Sequence, residues 1–257
     1  MKLTNKITTL ATAAGLTLAA GSASAAVSVV NSLGFKANSG TLSASFDTTG
    51  ATKIVVFLTG EHGFNNTSGQ VNDVTFDGVS LTRVVDRNPV ASGTDTLYGD
   101  IWYMDAPASG NLTLSASVSS RGSWTAFAIS GAAAGVGDSG FSGSDTRSLD
   151  LTTGANSLVL AAFNLGGSGN TASMNGVSPD APNLSTTYTT MVNSSWDGHM
   201  TAGGSVVAAG TNSFSFTGGN ATGGFVTGIE ILDAVPEPST TALLGLGGLA
   251  LILRRRK

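Results

Sequence analysis

Leu112-Thr113-Leu114-Ser115-Ala116-Ser117-Val118 alternates strictly between apolar and hydroxyl residues. A period of two marks a β-strand with one face in a core and the other in water. The same alternation sets Leu42, Ala44 and Phe46 against Thr41, Ser43 and Ser45, and Phe214 and Phe216 against Ser213 and Ser215. Phe225, Thr227, Ile229 and Ile231 fall on one face of a last strand. Two runs, Ile54–Leu58 and Leu158–Phe163, are apolar at every position. Such strands are covered on both faces and lie at the centre of a sheet. Turn signals stand between the bursts: Asp77-Gly78, Ser92-Gly93, Ser109-Gly110, Gly166-Gly167 and Gly218-Gly219.

No stretch between Ala26 and Asp233 keeps a helical period over three turns. Gly, Ser, Thr, Asn and Ala dominate this body, a composition that disfavours helix, while the regular apolar bursts exclude disorder. About a dozen strands at short spacing predict an all-β fold, a two-sheet antiparallel β-sandwich with its layers ~10 Å apart. Val74-Thr75-Phe76-Asp77-Gly78-Val79-Ser80-Leu81-Thr82 reads as a hairpin about Asp77-Gly78. Ile101 to Leu114, with Pro107 and Gly110 between its apolar ends, reads as strand, corner, strand. These two segments resemble ones in jelly-roll or immunoglobulin-like domains of bacterial surface proteins. The number of strands favours a jelly-roll-like sandwich over the seven to nine strands of the immunoglobulin plan. The small-residue seam from Ser130 to Asp145 is either a linker or one long loop. Because the two continuously apolar strands read as parts of one shared core, residues 26–233 are expected to form one domain. No segment recurs at a fixed period.

The N-terminus carries Lys2 and Lys6, then an uncharged stretch from Ile7 to Ala20, then Ala23-Ser24-Ala25. This is the pattern of a signal peptide (residues 1–25, with a signal helix) that signal peptidase cleaves after Ala25, with Ala23 and Ala25 as the small residues it checks. No cysteine follows, which excludes a lipoprotein anchor.

At the other end, within residues 234–257, come Val235-Pro236-Glu237-Pro238, an apolar span from Thr241 to Leu253, and Arg254-Arg255-Arg256-Lys257. As a helix the span covers roughly 20 Å of a hydrocarbon core about 30 Å thick, so it makes a short transmembrane helix. Gly245, Gly247 and Gly248 weaken that helix, and the basic end snorkels to the cytoplasmic surface. Motif, span and basic tail in this order resemble the PEP-CTERM sorting signal read by exosortase, a membrane-embedded cysteine transpeptidase of Gram-negative bacteria. The resemblance implies that Pro236, Glu237 and Pro238 are the recognition residues and Arg254, Arg255, Arg256 and Lys257 the cytoplasmic stop. It further implies an inner-membrane intermediate, final residence in the cell envelope or extracellular matrix, and a link to exopolysaccharide or biofilm.

The whole chain carries a net charge of −4 from 12 basic and 16 acidic residues. Half of the basic residues belong to the two targeting segments, and between Val27 and Asp233 only Lys36, Lys53, Arg83, Arg87, Arg121 and Arg147 remain. An acidic body with scattered cations lacks the electrostatic footprint of a nucleic-acid partner. The absence of cysteine removes disulfides, thiol nucleophiles and thiolate metal sites, and a body of about 205 residues is large enough to fold without staples.

Three constellations remain as candidate sites in the body. Glu61 and His62 follow a buried strand, in the arrangement a hydrolase needs, but the only other histidine is His199, and solvated loop residues are the expected reading. Asp73, Asp77, Asp86, Asp95, Asp100 and Asp105, with Asn72, crowd a run of turns. Calcium is the one metal this leaves room for, without the spacing of a calcium loop and without assignable ligands. No other cofactor is implied. Trp102, Tyr103, Trp124, Tyr188 and Trp196 are the aromatic residues from which a platform for surface glycans would be built; Trp102 and Tyr103 point to opposite faces of one strand, and tryptophan in a sandwich is expected in the core. Sequons stand at Asn65, Asn111, Asn183 and Asn220. The expectation is a non-enzymatic exported surface or matrix protein, with a carbohydrate-binding or adhesive module as the alternative and a hydrolase as the remote one.

Overall fold

The computed structural model describes residues 26–234, except 38–39, 63–70, 93–94, 119–120, 143–145, 147, 167–172, 176–197 and 218–224. The signal helix and transmembrane helix expected in residues 1–25 and 235–257 lie outside the described residues.

The body is all β. Its first half contains β1 (Ser28–Ala37), β2 (Gly40–Asp47), β3 (Lys53–His62), β4 (Val71–Phe76), β5 (Val79–Ser80), β6 (Thr82–Ser92), β7 (Asp95–Asp105), β8 (Asn111–Val118) and β9 (Arg121–Ser130). These form a five-stranded sheet ordered β1-β9-β3-β7-β6 and a four-stranded sheet ordered β2-β8-β4-β5. Every paired neighbour is antiparallel. The chain crosses repeatedly between the two sheets, with β6 added at one edge of the first. The expected hairpin is present: Phe76 pairs Val79 around Asp77 and Gly78, whose φ values of 51° and 77° suit the left-handed two-residue turn. The expected Pro/Gly corner is present too, and it carries the chain from β7 in one sheet to β8 in the other. Pro89 sits on β6, an edge strand, beside a register shift between Arg87 and Val90, where a missing N–H is tolerated.

The second half contains β10 (Ser139–Phe141), β11 (Ser148–Thr153), β12 (Ser157–Gly166), β13 (Ser173–Asn175), β14 (Gly198–Val207), β15 (Gly210–Thr217) and β16 (Phe225–Ile231). The sheets are ordered β10-β16-β12-β14 and β11-β15-β13. This repeats the strand order of the first half, with β10-β16-β12-β14 standing for β1-β9-β3-β7 and β11-β15-β13 for β2-β8-β4; β5 and β6 have no counterpart among the described residues. One detail is repeated at atomic level. The buried Thr48 hydroxyl donates to the carbonyls of Ala108 (2.6 Å) and Gly110 (3.1 Å), and the buried Thr153 hydroxyl donates to those of Ala208 (3.0 Å) and Gly210 (3.3 Å). Gly110 and Gly210 take matching φ values of 122° and 124°. No fixed period is visible in the sequence because the spacing between equivalent positions drifts: Thr153 follows Thr48 by a different interval from that between Gly110 and Gly210.

The described residues therefore form four stacked sheets, not the two expected. Leu42, Phe46, Val74, Phe76 and Leu114 of the β2 sheet pack on Ile54, Val56, Leu58 and Trp124 of the β1 sheet. The opposite face of the β1 sheet, with Val55, Phe57, Phe127 and Ile129, packs on Leu158, Leu160, Ile229 and Ile231. Val159, Ala161, Phe163 and Val226 then face Leu151 and Phe214 of the outer β11 sheet. The physical reason is coverage. A two-sheet sandwich leaves one face of each sheet in water, whereas every side chain from Ile54 to Leu58 and from Leu158 to Phe163 is 1% exposed or less. The last strand differs from expectation for the same reason: all seven residues of β16 are buried, on both faces. Across the central interface β12 lies against β3, β16 against β7 and β14 against β9. Equivalent strands thus exchange partners as they do in an isologous interface.

Candidate functional site

Because both faces of β3 are covered from Ile54 to Thr59, its first residue is buried with them: Lys53 is 0% exposed. A buried ammonium needs partners. Lys53 finds them in Asp105, its direct cross-strand neighbour on β7, and in the carbonyl of Gly135, 2.6 Å from Nζ. The other oxygen of Asp105 accepts the N–H of Gly135 at 2.8 Å. The Tyr103 ring centroid lies 5.0 Å from Nζ, within range of a cation–π contact. Gly135 has a φ of 72°, a left-handed conformation that suits glycine, and that conformation directs the connector after β9 onto this pair.

Next to this cluster, a cleft of about 360 Å³ opens between the β4–β5 hairpin and the β7–β8 corner. Asp77, Val79, Ser80, Thr82, Met104 and Asp105 are among its lining residues. It offers two carboxylates and two hydroxyls above apolar walls, a lining that accommodates a small polar ligand. On the edge strand nearby, Arg83 pairs with Asp86 (3.0 Å) and with the buried Asp100 (3.8 Å), its guanidinium 5.3 Å from the Trp102 ring centroid. Burial, with the negative charge of Asp100 adding to it, pushes the Tyr98 hydroxyl well above its ordinary pKa. On the surface, the backbone N–H and the hydroxyl of Thr49 (3.0 and 2.7 Å) hold the Asp47 carboxyl below the usual carboxylate range.

At the seam a second buried acid, Glu230, accepts the N–H groups of Asp138 (3.0 Å) and Gly154 (2.6 Å), joining the connector after β9 to the β11–β12 turn. A Cβ on Gly137 would stand 1.9 Å from the Glu230 carboxylate, so a side chain at this point would push that carboxylate out of its place. Neither Lys53 nor Glu230 stands out in the sequence as a functional residue. The available signal was a charged residue among residues that are otherwise apolar, in Lys53-Ile54-Val55-Val56 and Gly228-Ile229-Glu230-Ile231.

Glu61 and His62 end β3 in register with Leu97 and Thr96 of β7, while His199 lies opposite Leu165 in another sheet. Asp77 and Asp105 line one cleft, and the Asp95 side chain lies outside the described residues. Asp73 accepts the Ser80 hydroxyl at 3.0 Å, Asp86 and Asp100 meet Arg83, and Asp105 meets Lys53. Among the described residues no group of three or more His, Asp or Glu side chains is placed to hold a metal. Trp102 and Trp124 are core residues, 6% and 0% exposed, and Tyr103 is half-buried under Lys53. Tyr188, Trp196, Ala23, Ala25, Pro236, Glu237, Pro238 and Arg254 to Lys257 lie outside the described residues.

The outermost sheets face water with hydroxyl rows. On β2 and β8, Ser43 opposes Ser115 and Ser45 opposes Thr113, with the two serine hydroxyls 3.1 Å apart in the first pair. On β11 and β15, Thr152 opposes Thr211 and Asp150 opposes Ser213, whose hydroxyl donates to the carboxylate.

No curated protein and no solved structure matches this chain. Residues 234–257 match the PEP-CTERM protein-sorting motif, so the chain carries the C-terminal signal of an exported protein sorted to the cell envelope by an exosortase-type system.

Proposed function

We propose that the protein is a non-enzymatic component of the cell surface or extracellular matrix, delivered through its sorting signal and resident among exopolysaccharide in a biofilm. The observation that carries this reading is the sorting motif at residues 234–257. The hydroxyl rows on both outer sheets support it, because exposed hydrogen-bonding faces suit a hydrated polysaccharide environment. In this scheme signal peptidase removes residues 1–25, the apolar span holds an inner-membrane intermediate, and exosortase acts at Pro236-Glu237-Pro238. Changing Pro236→Ala together with Pro238→Ala is expected to leave the full-length chain in the inner membrane of the native host. Normal release of the tail in that variant contradicts the assignment.

A second reading, a carbohydrate-binding module, is favoured by the cleft lined by Asp77, Ser80, Thr82 and Asp105. A glycan array probed with and without calcium separates the two: saturable binding that Asp77→Ala abolishes supports the module, and no ligand at millimolar concentration counts against it.

A further inference from the structure

The Lys53–Asp105 pair is built differently from a surface ion pair. Lys53 is wholly buried, and the desolvation cost of such an ion is repaid only in part by Coulomb attraction. The two residues sit directly opposite each other on adjacent antiparallel strands, so their side chains project from the same face of the sheet. Nζ donates to the Gly135 carbonyl, and the second Asp105 oxygen accepts the Gly135 N–H. One donor and one acceptor are what a secondary amide would present to those same Gly135 groups. The Gly135 N–H also polarises the carboxyl carbon towards attack, in the manner of an oxyanion donor.

From this geometry we propose that Lys53 and Asp105 join in an intramolecular isopeptide bond. The Lys53 nitrogen attacks Cγ of Asp105; the Nζ–Cγ bond forms and a Cγ–Oδ bond breaks. The departing oxygen takes two protons from the ammonium and leaves as water, so a cation and an anion become one neutral amide. No oxidant or other co-reactant is consumed. The product removes both charges from the interior and keeps both hydrogen bonds to Gly135. It ties the start of β3 to the end of β7 in an exported body that has no cysteine for disulfides.

The test is the intact mass and peptide map of the purified full-length chain. The expected mass lies below the sequence mass by one water. Trypsin is expected to leave the bond after Lys53 uncut in denatured protein, giving one branched peptide that joins the Lys53 and Asp105 segments. Lys53→Met and Asp105→Ala are each expected to restore the sequence mass. A wild-type chain at full sequence mass, cut after Lys53, overturns the proposal. A water deficit that maps to Asp77-Gly78, where an Asp-Gly pair can cyclise, overturns it as well. Because the decisive readout is the wild-type mass, a variant that fails to fold leaves the conclusion intact.

Discussion

Phe57→Ala tests whether the two halves of the body are held by one shared core. Phe57 is fully buried at the central interface, and its ring meets Phe127 edge to face, with centroids 6.0 Å apart and planes at 89°. Truncating a buried phenylalanine costs about 3–5 kcal/mol in transfer and cavity terms. The ring pair accounts for roughly 0.5–1.5 kcal/mol of that. For a body of this size each kcal/mol moves the midpoint by ~2–4 °C, so a fall of roughly 6–20 °C is expected. Urea and thermal unfolding of residues 26–234, followed by circular dichroism, give both numbers. Phe127→Ala and the double variant complete a cycle whose coupling should match the pair energy. Wild type and variants should unfold in one transition, because Val55, Phe57, Leu158 and Leu160 belong to the same cluster. A loss below about 1 kcal/mol, or two transitions of which only one moves, would refute the stacked arrangement.

Thr48→Ala and Thr153→Ala each delete a hydroxyl that holds two carbonyls in equivalent corners. Each is expected to cost about 1 kcal/mol, with the double variant additive within roughly 0.5 kcal/mol; strong non-additivity in urea melts counts against independent corners. Gly204→Ala would place a Cβ 2.2 Å from the Val159 carbonyl oxygen. The strain is expected to cost at least about 1–3 kcal/mol in the same assay, and an unchanged midpoint contradicts the close approach of β12 and β14. Burial raises the Tyr98 pKa above its unfolded value. Its stabilising contribution is therefore complete below about pH 10 and is lost as pH rises towards the folded-state pKa. Tyr98→Phe should flatten the alkaline part of the stability curve, and an unaltered slope contradicts the assignment.

Period-two alternation was sufficient to place strands such as β2, β8 and β15, because each has one wet face and the pattern survives in the sequence. The hairpin at Asp77-Gly78 was legible because few residue pairs accept consecutive positive φ angles. Layer number was present in the sequence but hidden: two continuously apolar strands already require more cover than two sheets provide. Strict alternation is not required of a strand like β16, where the pattern from Phe225 to Ile231 is weak because both faces are dry. The repeat was illegible because strand order and a corner hydrogen bond survive where side-chain identity does not, as in Leu114 against Phe214. The Lys53 cluster was hidden because a lysine heading an apolar strand looks like a solvated end until the covering layer is known.

If the tail is a sorting signal, the stacked sheets work outside the cell. The direct measurement is the C-terminal peptide of the protein recovered from the native host's envelope and medium. A mature chain ending near Pro236–Pro238, with or without added mass from a new attachment, is the predicted result. Recovery with Arg254 to Lys257 still attached would contradict it and leave the protein anchored in the inner membrane.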